Sequence, residues 1–331
     1  NPIINRRSFG SDPQMVADTL RPFIEGMRES GVLATVKHFP GHGDTSEDSH
    51  LTLPEVALDL AALESRELIP FAALTGTAGA MMPGHLWMSA FDEEELPASL
   101  SPNVVNGILR DELGYDGLVI TDALDMDAID TVYSPGESAI RALLAGNDMI
   151  LIGANVGETV QAQAMQDVVD AVRSGRIPEA RIDEAVRRIL QAKADIGVMD
   201  WQPVDEAPQI DLEAHATLVN EVFAAGVTLA FAYPTLIPLD DALPVAIIYP
   251  ANRNRIRAQC SQYRDDIRWY AVSDSPTDEE ITNAWSFATG APIVVIFTRN
   301  AYTNPAQAAL VESLHPRSII VVALMSPYDV R

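Results

Sequence analysis

Cysteine and lysine are almost missing from this chain, and both gaps are informative. The single Cys260 excludes an intrachain disulfide and any cysteine-based zinc cluster. With no histidine at a recognisable spacing, it reads as a small packing residue rather than a nucleophile. Two lysines, Lys37 and Lys193, stand against 20 arginines, and 47 acidic residues carry the formal net charge to −25. The basic stripe that would release phosphate counterions is lacking, which argues against nucleic acid as a partner. The same charge disfavours an anionic membrane surface. No apolar run approaches the roughly 20 residues needed to span a bilayer, so no membrane-spanning segment is expected. The chain opens on Asn1-Pro2 rather than Met, and a signal peptide would lie upstream. Compartment, cytoplasmic or exported, stays open, and so does oligomeric state.

What is present fits a globular protein with full cores. The 331 residues suggest roughly two domains at about 100–200 residues each. Up to about residue 200, short apolar runs alternate with amphipathic helices. Ser11-Asp12-Pro13 predicts a helix start with Ser11 as cap, and Gly31 its end. Strands are expected at Val32 to Val36, Ala78 to Met82, Leu118 to Thr121 and Asp148 to Ile152. Helices near 60–75, 102–112 (capped by Ser101), 136–145, 157–174 and 183–195 separate or follow them. The strands are continuously apolar, as when helices cover both faces of a parallel sheet. Polar residues sit at their C-terminal ends: Lys37-His38, His85 and Asp122-Ala123. A parallel α/β sheet or (β/α)8 barrel carries its chemistry there.

Residues 201–210 hold two prolines and no periodic pattern, and read as a linker. Beyond it, a helix at 211–225 precedes strands near Val227–Phe231, Val245–Tyr249, Ile293–Phe297 and Ile319–Leu324. Helices near 253–263, 277–287 and 305–314 lie between the later strands. This pattern predicts a doubly wound α/β domain over 211–331, ending directly after a strand and so truncated.

Two segments concentrate chemistry. KHFPGHGDTSEDSH, Lys37 to His50, holds three of the six histidines and three acids in fourteen residues. Pro40, Gly41 and Gly43 break any helix there, so His38 and His42 cannot form the i, i+4 pair of a helical zinc site. The loop could still wrap a metal through His and Asp ligands. Asp48-Ser49-His50 suggests instead a carboxylate that fixes the tautomer and raises the basicity of an imidazole. An ordinary polar turn remains open as well. The second segment, GLVITDALDM from Gly117 to Met126, puts Asp122 at the mouth of an apolar strand. A partly desolvated, rigidly aimed carboxylate suits a nucleophile or a metal ligand; capping the following helix is the plain alternative. Asp125 and Asp127 read as solvated acids on a helix face.

Together, K-H-F-P-G-H-G-D-T-x-x-D-S-H and I-T-D-A-L-x-M closely resemble glycoside hydrolase family 3 in its β-N-acetylglucosaminidase branch. Arg7-Ser8-Phe9-Gly10 and Met82-Pro83-Gly84-His85 match two further elements of that family. The resemblance runs from Asn1 to about Leu190, and more loosely beyond. It implies a partial (β/α)8 TIM-type barrel over 1–200, holding about five of the eight strands, in a fragment of a longer protein. It also implies a retaining glycosidase acting on terminal β-linked N-acetylglucosamine, with the bacterial cell-wall disaccharide as substrate and no cofactor or metal. By that resemblance Asp122 is the nucleophile and His50, polarised by Asp48, the acid/base. Arg7, Lys37, His38, His85 and Met126 would bind the sugar, while His42 and Asp44 shape the loop. Three other readings stay open: a phosphorylase that replaces water by phosphate, a metal-dependent hydrolase using His38, His42, Asp44 and His50, and a non-catalytic carbohydrate-binding protein.

Overall fold

The computed structural model describes residues 3–4, 7–45, 47–49, 51–200, 202, 210–231, 237–315 and 319–324. The chain divides into two compact units, Asn1–Val204 and Asp205–Arg331. Most of the expected linker, 201–210, lies outside the described residues.

In the first unit a sheet of three parallel strands runs in the order β1 (Thr35–Phe39), β3 (Ala80–Pro83), β5 (Leu118–Val119). A parallel bridge from Ile120 to Met149 lays the next segment beside β5. Residues 148–152 were expected as a full strand, but a side chain takes part of the ladder's role. Buried Thr121 accepts the Leu151 N–H through Oγ1 at 2.9 Å. Successive parallel strands joined by helices make this unit a segment of a (β/α)8-type barrel. Strand β3 is buried along its whole length, which explains its unbroken apolar run.

The helix Pro13–Glu29 is capped by Asp12, whose side chain accepts the Met15 N–H, rather than by Ser11. β1 starts three residues later than expected and therefore includes Lys37 and His38. The helix expected near 60–75 is present but interrupted: Leu60–Ala62 and Leu68–Leu74 flank a π-helical turn, Leu63–Glu67. Ser101 does cap its helix, accepting the Val104 N–H at 3.1 Å, but Asn103–Glu112 winds as a wider π-helix. A two-residue parallel pair, β2 (Glu55–Val56) with β4 (Trp87–Met88), links the loop after β1 to the loop after β3. The core gathers Phe39, Val56, Leu63, Met81, Met88, Leu109 and Tyr115.

The second unit is one sheet of four parallel strands ordered β7 (Arg268–Val272), β6 (Val245–Pro250), β8 (Ile293–Thr298), β9 (Ile319–Ala323). Side chains alternate between its faces. Ile248, Val294 and Ile296 pack with Ala284, Ala288, Leu310 and Leu314 from the helices Asp278–Ala288 and Pro305–Leu314. Val245, Ile247, Tyr249, Ile293 and Val295 pack on the other side with Ile256 and Cys260 of the helix Asn254–Cys260. Helices on both faces of a parallel sheet define the doubly wound class. Val227–Phe231, expected as a strand, is not one: Val227, Leu229 and Phe231 are exposed and find no ladder partner among the described residues. Strand β7 has no counterpart in the expected series.

Candidate active site

Strand ends build the site. Asp122 lies three residues past Val119, the last residue of β5, and its N–H points to the Pro83 carbonyl at the end of β3, 3.4 Å away. Its carboxylate is divided between two neighbours. Oδ1 accepts the Ala123 N–H at 2.9 Å, and Oδ2 lies 3.4 Å from His38 Nε2. The side chains of His38 and Asp122 are 11% and 15% exposed, so both are largely withdrawn from water yet reachable.

Burial pulls the His38 pKa down to about 4; Asp122 opposes the drop, while Lys37, His42 and Arg7 add to it. At neutral pH His38 is therefore an uncharged imidazole. Nε2 facing a carboxylate oxygen is then the N–H that donates. The His42 ring meets the His38 ring edge-on, with centroids 5.7 Å apart. Its pKa is also lowered, first by burial, with its own backbone and Asp48 acting the other way. Nδ1 of His42 lies 2.6 Å from Thr45 Oγ1 and Nε2 lies 3.2 Å from Ser49 Oγ. All three of these residues are buried. His42 thus laces together the stretch that leads into Asp48.

Asp48 is half-buried, and its carbonyl accepts from the N–H groups of Leu51 and Thr52, making a turn. His50, the expected acid/base, lies outside the described residues. Arg7 and Lys37 are exposed, and each acts electrostatically on His38. Met126 is buried at the start of the short helix Asp127–Asp130. His85 is fully buried. Its Nδ1 is 2.7 Å from Ser99 Oγ and its Nε2 is 2.8 Å from the Ala123 carbonyl. A carbonyl only accepts, so Nε2 carries the proton and Nδ1 accepts from the Ser99 hydroxyl. Expected as a sugar ligand, His85 braces the backbone just after Asp122 through Nε2 and holds the Ser99 side chain through Nδ1.

Sequence reasoning missed two features. Asp125 is not a solvated acid: its Oδ2 accepts from the N–H and the Nδ2 of Asn155, each at 3.1 Å. It thereby ties the loop after residue 152 to the Asp122 turn. The other is the Arg66-Glu67 pair beneath the Gly41–Asp44 segment. Arg66 Nη2 donates to Asp44 at 2.9 Å, and Arg66 Nε to Glu67 at 2.6 Å. Among the described residues, no three His, Cys, Asp or Glu side chains converge as a metal-binding group. No helix among them is long and apolar enough to cross a membrane.

The fold and this site define an α/β-barrel protein with a half-buried carboxylate–imidazole pair at the C-terminal ends of its strands. The chain belongs to glycosyl hydrolase family 3, matching that family's N-terminal domain over residues 1–192. It is 29% identical over 266 residues to a beta-hexosaminidase A of Pseudoalteromonas piscicida, covering 76% of this chain and 44% of the relative. Against a beta-hexosaminidase of Pseudomonas aeruginosa it is 39% identical over 150 residues, 45% of either chain. The solved structure of a family 3 beta-N-acetylglucosaminidase from a Paenibacillus species covers the whole chain at 35% identity and a TM-score of 0.90. This chain spans 66% of that one, and less than half the length of these two curated relatives.

Proposed function

We propose that the protein removes terminal β-linked N-acetylglucosamine with retention of configuration, through a glycosyl-enzyme intermediate on Asp122. The observation that carries this reading is the Asp122 carboxylate, 15% exposed at a strand mouth and facing His38 at 3.4 Å. In the first step a carboxylate oxygen of Asp122 attacks the anomeric carbon and the bond to the leaving oxygen breaks. The proton that oxygen needs comes from His50, whose imidazole Asp48 orients. In the second step His50 takes a proton from water, the water oxygen attacks the anomeric carbon, and the ester to Asp122 breaks. Two inversions give net retention.

An imidazole serves both half-reactions because its pKa lies near the working pH. His38 contributes differently. A charged imidazolium at that distance would hold Asp122 in an ion pair and blunt its attack. A neutral N–H orients the carboxylate and lets it go. Arg7 and Lys37 supply donors for the sugar hydroxyls, His38 offers its Nδ1 as an acceptor, and His85 with Ser99 fixes the floor beneath Ala123. The names of the relatives, beta-hexosaminidase and beta-N-acetylglucosaminidase, support the choice of sugar. For the aglycone we favour the N-acetyl- or anhydro-muramic acid of cell-wall fragments.

The test is an aryl β-N-acetylglucosaminide with the Asp122→Ala variant, and mass spectrometry of peptides after trapping with a 2-fluoro or 5-fluoro sugar. Loss of turnover with the label on Asp122 supports the mechanism. Full activity of Asp122→Ala overturns it. Adding inorganic phosphate to the same assay separates a hydrolase from a phosphorylase, since phosphate as acceptor would give the sugar 1-phosphate.

A further inference from the structure

We propose that Glu67 is a positioning residue for the acid/base loop: buried beneath Gly41, it fixes the start of the segment that carries Asp48 and His50. The inference rests on the function proposed above and adds to it a residue outside the sugar-contacting set.

Four observations converge on Glu67. It is the last residue of the π-helical turn Leu63–Glu67, and such local widenings of a helix are frequent at functional sites. Its side chain is only 6% exposed. Oε1 accepts from Arg66 Nε at 2.6 Å, whereas Oε2 is buried with no hydrogen-bond partner among the described residues. A buried, unpartnered acceptor is costly and calls for an explanation. The loop also lies directly on it: at Gly41, where φ is +139°, an added Cβ would come within 2.9 Å of Glu67 Cγ.

From Gly41 the contact passes along the loop. The next residue, His42, reaches Thr45 and Ser49, which brackets Asp48. Arg66 links Glu67 to Asp44, but Arg66 and Asp44 are each about half exposed, so that pair is screened and weak. The far end of the loop is held separately, where Trp87 N–H donates to the Pro54 carbonyl at 2.9 Å and β2 pairs with β4. Between these two anchors lies the stretch that bears the acid/base pair. If Glu67 merely filled space, glutamine, with the same shape, would replace it without effect. As a carboxylate it holds Arg66 Nε by a charged hydrogen bond, and Arg66 reaches Asp44 of the loop.

The experiment compares kcat/KM of wild type, Glu67→Gln and Asp48→Ala in the whole protein on two N-acetylglucosaminides. One has a 2,4-dinitrophenyl group, which departs without a proton; the other has an alkyl group, which needs one. General acid catalysis is worth about 10²–10⁴-fold, so a displaced loop costs the alkyl substrate far more. We expect Glu67→Gln to lose about 10-fold or more on the alkyl glycoside and under about 3-fold on the dinitrophenyl one, within that range. Equal losses on both substrates, or no loss, overturn the proposal. Should Glu67→Gln fail to fold, Gly41→Ala, which pushes the loop off Glu67 from the other side, must show the same split or the proposal fails. Asp48→Ala separates the two claims. If it shows no leaving-group dependence, the proposed function fails first; if it shows one that Glu67→Gln and Gly41→Ala lack, only the positioning role is lost.

Discussion

His38 Nε2 lies 3.4 Å from Asp122 Oδ2, and the imidazole stays uncharged down to about pH 4 because burial outweighs the pull of the carboxylate. The pair is thus a donor–acceptor contact at neutral pH, not a salt bridge. This has a consequence for stability. A histidine whose folded pKa falls from 6.5 to about 4 leaves the unfolded chain binding more protons than the folded one across that window. Stability then declines as pH drops through it, by about 1.4 kcal/mol for each unit of difference. The buried His42 shifts the same way. His38→Gln removes one of the two contributions, so its melting temperature should fall less steeply between pH 6.5 and pH 4.5 than that of wild type. Scanning calorimetry across that range measures it, and parallel slopes would show that His38 titrates normally.

The same substitution should lower kcat/KM without abolishing it. Glutamine can still donate to Asp122, but it cannot reproduce the ring's fixed direction. A loss of about 10–100-fold is expected, the scale of one misplaced hydrogen bond at a reacting group. His38→Ala should lose more, and steady-state kinetics on an aryl glycoside compare the two.

Asp125 and Gly153 act as one fitting. Gly153 has φ +117°, and a Cβ there would run into the Asp125 carboxylate, while that carboxylate holds both nitrogens of Asn155. Gly153→Ala meets a clash and a strained backbone together, costing about 1–3 kcal/mol. Because the displaced group sits three residues past Asp122, activity should fall along with stability. Asp125→Ala removes the obstacle as well as the tie. The double variant should therefore be less impaired than the sum of the two singles. Additive losses would mean that the two residues do not act on each other.

How much of this could be read from the sequence depends on where the physical cause lies. Apolar runs with polar C-terminal ends marked Lys37, His38 and Asp122 because burial on two faces leaves a plain hydropathy signal. Strand β7 escaped notice because it is an edge strand, with Arg268 exposed and Trp269 and Tyr270 half-buried, so its apolar run is broken. Val227–Phe231 misled for the converse reason: β-branched and aromatic residues favour a strand only where another strand is there to pair. Asp125 and Glu67 were hidden because their partners are remote in sequence or lie in the backbone. Asn155 is 30 positions from Asp125, and the feature of Gly41 that meets Glu67 is a missing side chain. No periodicity encodes either contact. The turn chemistry of the Lys37–His50 loop was legible, whereas the anchor beneath it was not.

Asp148 sits at the opposite end of the strands from Asp122 and pairs with Val119 of β5. Its side chain is fully buried and accepts from Arg110 Nη2 at 2.6 Å, Arg181 Nη2 at 2.8 Å and the Val119 N–H at 3.0 Å. Arg188 stands 3.4 Å away. Arg110 in turn donates to the carbonyls of Tyr115 and Gly117, just before β5. Arg110 thus pairs with this carboxylate, while Arg181 shares it with Glu184 and Arg188 lies closer to Asp116 and Glu184. Asp148→Asn keeps the shape and deletes the charge, leaving the buried Arg110 cation unmatched, which costs about 3–5 kcal/mol. For a unit of this size that is a drop of about 10 °C in melting temperature. Since the network braces the strands at their far ends, kcat of the folded variant at 20 °C should stay close to wild type. Thermal unfolding paired with active-site titration tests both parts. A variant that keeps its melting temperature but loses kcat would mean that the cluster serves the chemistry rather than the scaffold.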